Sequence, residues 1–80
     1  LQALGFIQTK MIMKTYTIEG YQYNTDKKIK IRVLVGTIDS VRDCLSPCMR
    51  FVEEVRARNK KNVEQQARTR AKKEGFQFIR

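Results

Sequence analysis

Histidine is absent from this 80-residue chain, and cysteine, glycine and proline are scarce, at two, four and one. Without histidine, the commonest general base is missing, and so is the usual activator of a serine or cysteine nucleophile. Cys44 and Cys48 cannot close a four-ligand zinc site by themselves. Their CxxxC spacing occurs once and Pro47 falls inside it, so neither a double-bridged helical hairpin nor a secreted disulfide scaffold is implied. They read as two buried or half-buried thiols in a reducing, cytoplasmic setting, with a disulfide or a metal shared with a partner as the alternative. The four glycines form no phosphate-cradling loop. Asp39 with Asp43, and Glu53 with Glu54, are acidic pairs that a metal could use, but Arg42, Arg50 and Arg56 stand beside them as charge partners. The expectation is a protein that is no enzyme and needs no metal or cofactor.

Long apolar runs are missing too. None approaches the roughly 20 residues of a membrane-spanning helix, so no membrane is expected as partner. Leu1 to Phe6 is too short, and too weakly charged at its start, for a signal peptide. Met11 and Met13 are candidate natural starts, which would make residues 1–10 or 1–12 a flexible upstream extension of a single small domain covering 1–80.

Acid is in short supply as well. Asp plus Glu is 8 against 17 Lys plus Arg, a net charge of +9 and a pI near 10.0. Charge of that size in one small domain favours association with polyanions. It is uneven: residues 1–49 carry seven cations and four anions, while residues 50–80 carry ten and four. A solvated helix surface would account for the same composition.

What is present has a legible pattern. Met11 to Glu19 is rich in β-branched and aromatic residues and reads as a strand, with Gly20 marking a bulge before Tyr21 and Tyr23. Asn24-Thr25-Asp26-Lys27 is turn chemistry. Ile29, Ile31, Val33 and Val35 then alternate with Lys28, Lys30, Arg32 and Leu34, a half-buried strand with a cationic outer face. The two runs form a β-hairpin, and Ala3 to Thr9 is a candidate third strand. Asp39-Ser40 caps a short helical turn from Val41 to Leu45. Ser46-Pro47 then signals a helix start. Cys48, Phe51, Val52 and Val55 recur at helical spacing as the core-facing stripe. Val63, Ala67 and Ala71 continue a thinner stripe after a break at Asn59 to Asn62, where Asn62 and Gln65 fit a capping box. Gly75 closes the helix, and Phe76, Phe78 and Ile79 read as a short last strand. The expected fold is α+β in two layers: a small antiparallel sheet, hairpin plus one or two short strands, packed on a C-terminal helix that is single or split.

One repeat bears on function. Arg56-Ala57-Arg58-Asn59-Lys60-Lys61 and Arg68-Thr69-Arg70-Ala71-Lys72-Lys73 both read R-x-R-x-K-K and start 12 residues apart. On one straight helix that offset is about 18 Å of rise and about 120° of rotation, so the clusters would not share a face. Guanidinium groups contact phosphate bidentately and lysines act as mobile charges. Arg56, Arg58, Lys60, Lys61, Arg68, Arg70, Lys72 and Lys73 are therefore candidate phosphate contacts. Lys28, Lys30 and Arg32 are a second basic strip. Asn59, Asn62, Gln65 and Gln66 could read base edges, and Tyr16, Tyr21 and Tyr23 could stack unpaired bases. All of these residues also have ordinary structural or solvated roles.

A double-stranded-RNA-binding domain needs a helix before its sheet, and a K-homology domain needs a GxxG loop; neither pattern is here. The strand–strand–helix–strand order and the basic charge resemble the small basic linker proteins of light-harvesting antennae. Glu64-Gln65-Gln66 and Gly75 are the residues that carry this, too few to place the chain in that family. The resemblance implies an acidic protein as partner. The leading expectation is a nucleic-acid-binding accessory domain, for DNA or RNA. The alternatives are an adaptor on an acidic protein surface and a homodimer joined through the Val63, Ala67, Ala71 stripe.

Overall fold

The expected hairpin is present in the computed structural model, which describes residues 12–79. Strands β1 (Lys14–Tyr21) and β2 (Lys30–Val35) pair antiparallel, with Ile18 opposite Val33 and Gly20 opposite Ile31. Alternation sends Tyr16, Ile18, Ile31 and Val33 to one face, and all four are buried. The register slips between Gly20 and Tyr21 on the outer side of β1, at the bulge position the sequence suggests. The candidate strand Ala3 to Thr9 lies outside the described residues.

The segment after Pro47 is a correction. Met49–Ala57 is a third strand, β3, and not the start of a helix. It pairs antiparallel with β1, placing Val55 opposite Tyr16 and Phe51 opposite Gly20. Positions 48, 51, 52 and 55 fit a helix by spacing, but Phe51, Val55 and Ala57 also fit a two-residue period. Pairing settles the ambiguity, because the free edge of β1 needs a partner and Phe51 needs a place to lie. That place is over Gly20, where an added Cβ would stand 2.0 Å from the Phe51 ring. The Ser-Pro helix signal is used in a turn instead. Met49 N–H bonds the Ser46 carbonyl at 3.1 Å, and Ser46 Oγ accepts from Cys48 N–H at 3.0 Å. Proline in the second turn position and a serine accepting an N–H two residues on serve a β-turn as well as a helix cap.

Strands β2 and β3 border β1 on opposite sides, so residues 36–48 must cross over it. Three hydrogen bonds fix the side they take. Thr17 Oγ1 donates to the Gly36 carbonyl, Glu54 accepts from Ile38 N–H, and Glu19 accepts from Ser46 N–H, at 2.9, 2.9 and 2.5 Å. Arg32 completes the arrangement, bonding Glu19 through Nε at 2.6 Å and donating to the Cys44 carbonyl. The expected helical turn appears here as a 3₁₀ turn, Arg42–Cys44, with Val41 buried beside it. Cys48 is half-buried as expected, but Cys44 is exposed, because the 3₁₀ turn that carries it buries none of its own residues; both are free thiols.

Helix α1 (Lys60–Glu74) covers the other face of the sheet. Its N-cap is Asn59, whose side chain accepts from Asn62 N–H at 3.0 Å, so the capping pair begins three residues before the Asn62 of the sequence reading. Gly75 ends it with φ +78°, the left-handed conformation that glycine adopts without strain. Val63, Ala67 and Ala71 bury fully against Tyr16, Ile18, Ile31, Val33 and Ala57. Their small size lets the helix sit close to the sheet, and their burial removes them as a dimer seam. The chain ends in β4 (Gln77–Phe78), parallel to β2. The strand order is β3-β1-β2-β4, an α+β two-layer fold whose sheet is mixed through its last short strand.

Two substitutions test this account. Gly20→Ala must displace the Phe51 ring and should cost about 1–3 kcal/mol, the range for overpacking. Glu19→Ala orphans Arg32 and Ser46 N–H and should cost about 2–4 kcal/mol. Urea unfolding of each variant measures both. Losses below a few tenths of a kcal/mol would show that neither contact matters.

Candidate nucleic-acid interface

The cations sort into those that are paired and those that are not. Among the described residues, four take a carboxylate: Lys30 with Asp26, Arg32 with Glu19, Arg42 with Asp39, and Arg70 with Glu53. Two of the three cations in the basic strip of β2 are thus committed, and the third, Lys28, is exposed in the hairpin connection. Lys30 and Arg32 also lie over the rings of Tyr23 and Tyr21, at 5.7 and 5.3 Å from their centroids. Tyr16 and Tyr21 are buried, which leaves Tyr23, 45% exposed, as the tyrosine with ring surface free.

The two R-x-R-x-K-K clusters do not share a backbone. Arg56 belongs to β3, Arg58 to the β3–α1 junction, and Lys60 and Lys61 to the first turn of α1. The second cluster lies wholly in α1, and its arginines leave the helix on opposite flanks. Arg68 stacks over Phe78 of β4 at 5.1 Å, while Arg70 lies 4.3 Å over Phe51 of β3 and bonds Glu53 at 2.5 Å. Arg70 is half-buried by these contacts and holds helix to sheet. Arg68 remains exposed; a guanidinium stacked on a ring still directs its N–H fork outward.

The helix brings together a set that neither cluster defines. Lys61, Gln65, Arg68 and Lys72 follow one another by four, three and four residues and so share one face. All four are exposed, and the line covers about 16 Å. Arg58 and Lys60 stand at its N-terminal end, and Glu64 is the acid beside it. Lys73 lies round the helix on the β3 side, with Gln66 and Thr69. Lys28, Lys30 and Arg32 are elsewhere, at the hairpin end and on the crossover face. The sequence contains the signal for the stripe, since the spacing of 61, 65, 68 and 72 is helical. Grouping the cations as contiguous blocks conceals it. Gln65 takes its place in the line by the same spacing, and Asn59 is occupied as the N-cap.

Compared with known proteins, the chain matches no family model, no curated protein and no solved structure. The site therefore has to be read from its own chemistry. No helix among the described residues is long and apolar enough to cross a membrane.

One electrostatic feature is out of place for a free helix. The first turn of α1 has no acidic residue and begins with Lys60 and Lys61, following Arg58. The positive end of a helix dipole favours anions, and cations there are unfavourable. Nearby anionic oxygens would relieve both the dipole and the lysines. Lys61→Glu should therefore raise the stability of the free protein by about 0.3–1 kcal/mol. Thermal unfolding at low salt, repeated at high salt where the gain should shrink, measures it.

Proposed function

We propose that this domain binds nucleic acid through the exposed face of α1, with Lys61, Arg68 and Lys72 contacting phosphates and Arg58 and Lys60 extending the contact at the helix start. The role is binding rather than catalysis. The observation that carries the reading is the line Lys61–Gln65–Arg68–Lys72, three cations without a carboxylate partner among the described residues, on a helix whose first turn is electrostatically unfavourable when free. Gln65 sits within the line as a side chain able to bond a base edge or a sugar. Arg70, Lys30 and Arg32 drop out of the contact set, because their charges are committed inside the fold. Arg56 and Lys73 flank the line rather than belong to it, and Lys28 lies apart.

The test is a salt titration of binding to duplex DNA, duplex RNA and a single strand, followed by fluorescence anisotropy. The affinity should fall steeply with salt. In the Lys61→Glu, Lys72→Glu double variant, the slope of log K against log salt should flatten by about two on duplex DNA, one phosphate contact per lysine removed. An unchanged slope in that variant, or no binding by the wild-type protein at low salt, would remove the proposal.

A further inference from the structure

The opposite flank of the helix suggests a second surface. Among the described residues, β3 has a sheet neighbour on one side only, although it is nine residues long. Its pairing fixes which backbone groups point outward. Gly36 N–H bonds the Thr15 carbonyl, so Thr15, Thr17 and Glu19 direct their backbone groups to β2, and Tyr16 and Ile18 direct theirs to β3. Their partners Val55 and Glu53 bond inward, which leaves the N–H and C=O groups of Val52, Glu54 and Arg56 facing out. Natural proteins usually keep such edges short, bulged or covered, because an open edge is a template for another strand.

A groove runs beside this edge. It is open, about 580 Å³, lies between β3 and the near flank of α1, and takes its walls from Glu53, Gln66, Thr69, Arg70 and Lys73, among others. A strand added to β3 would project every second side chain on the helix side of the sheet, into this groove. The charges along the edge have one sign to spare. Glu53 is bonded to Arg70, and Glu54 accepts from Ile38 N–H. Arg50, Arg56 and Arg58 are exposed without a carboxylate partner among the described residues, as is Lys73 in the groove wall. Glu74, at the end of the groove, is the one acid there without such a bond. Pairing two copies of the chain through this edge would bring two +9 molecules together.

We propose that β3 accepts an extended acidic peptide segment as a fifth strand, its backbone bonded to Val52, Glu54 and Arg56 and its carboxylates meeting Arg50, Arg56 and Lys73. This surface shares Gln65 with the Lys61–Lys72 line but none of the line's cations, so charge-reversal variants distinguish the two proposals.

The probe is a capped peptide of about ten residues in Glu-Glu-Val repeats, the length of one strand, so that its glutamates reach both faces of the sheet. Its comparisons are the same peptide N-methylated at every internal residue and a Lys-Lys-Val peptide of equal length. The Glu-Glu-Val peptide should bind the full chain, and N-methylation should weaken binding about tenfold or more, because the charge is kept but the strand hydrogen bonds are lost. The Lys-Lys-Val peptide should not bind. In the complex, amide hydrogen exchange at Val52, Glu54 and Arg56 should slow about tenfold or more, and Lys73→Glu should weaken binding while Lys61→Glu should not. Equal binding of the N-methylated peptide, unchanged exchange at the three edge amides, or loss of binding in Lys61→Glu instead of Lys73→Glu would each overturn the assignment.

Discussion

Glu19 is fully buried and charged, and the arrangement of the molecule depends on how that charge is met. Its carboxylate takes Arg32 Nε and Ser46 N–H, and Arg32 reaches on to the Cys44 carbonyl. One residue of β1 thereby holds β2 and the far end of the crossover. A carboxylate left unpaired at this depth would cost several kcal/mol. The crossover is therefore held against the Glu19 face, and the opposite face of the sheet is left for the helix. Gly20, the next residue, makes the second half of the arrangement by leaving room for Phe51 on the helix side.

That division decides where charge is free. The crossover face uses three cations internally: Arg32 on Glu19, Lys30 on Asp26, and Arg42 on Asp39. The helix side uses one, Arg70, to tie α1 to β3. The positive charge left over is concentrated on the outer helix and along the β3 edge, and the two proposed surfaces take those two places. A basic composition alone would not make this distinction, because Arg32 and Lys72 count equally in a net charge while one is structural and the other is exposed.

Much of the fold was legible because its signals were local. The β2 alternation, the Asn24–Lys27 turn, the Gly20 bulge and the Gly75 cap each depend on a few neighbouring residues. The two-layer α+β class followed from them. Met49–Ala57 was misread because its apolar positions satisfy both periods and because Ser46-Pro47 serves turns and helix starts alike. Only pairing with β1, distant in sequence, separates the two. The site was legible in composition but not in membership. That Arg70 is consumed by Glu53 and Phe51 follows from contacts across 17 and 19 residues of sequence. The line Lys61–Gln65–Arg68–Lys72 is present in the spacing but is concealed when the cations are grouped as contiguous R-x-R-x-K-K blocks.

The central claim is that polyanion binding belongs to the outer face of α1 and not to the crossover face. An NMR titration of isotope-labelled protein with a short nucleic-acid duplex tests it most directly. The account predicts that backbone and side-chain shifts concentrate at Arg58, Lys60, Lys61, Gln65, Arg68 and Lys72, with the Glu19–Arg32 resonances unmoved. Shifts centred on Lys28, Lys30 and Arg32, with the helix unaffected, would contradict it.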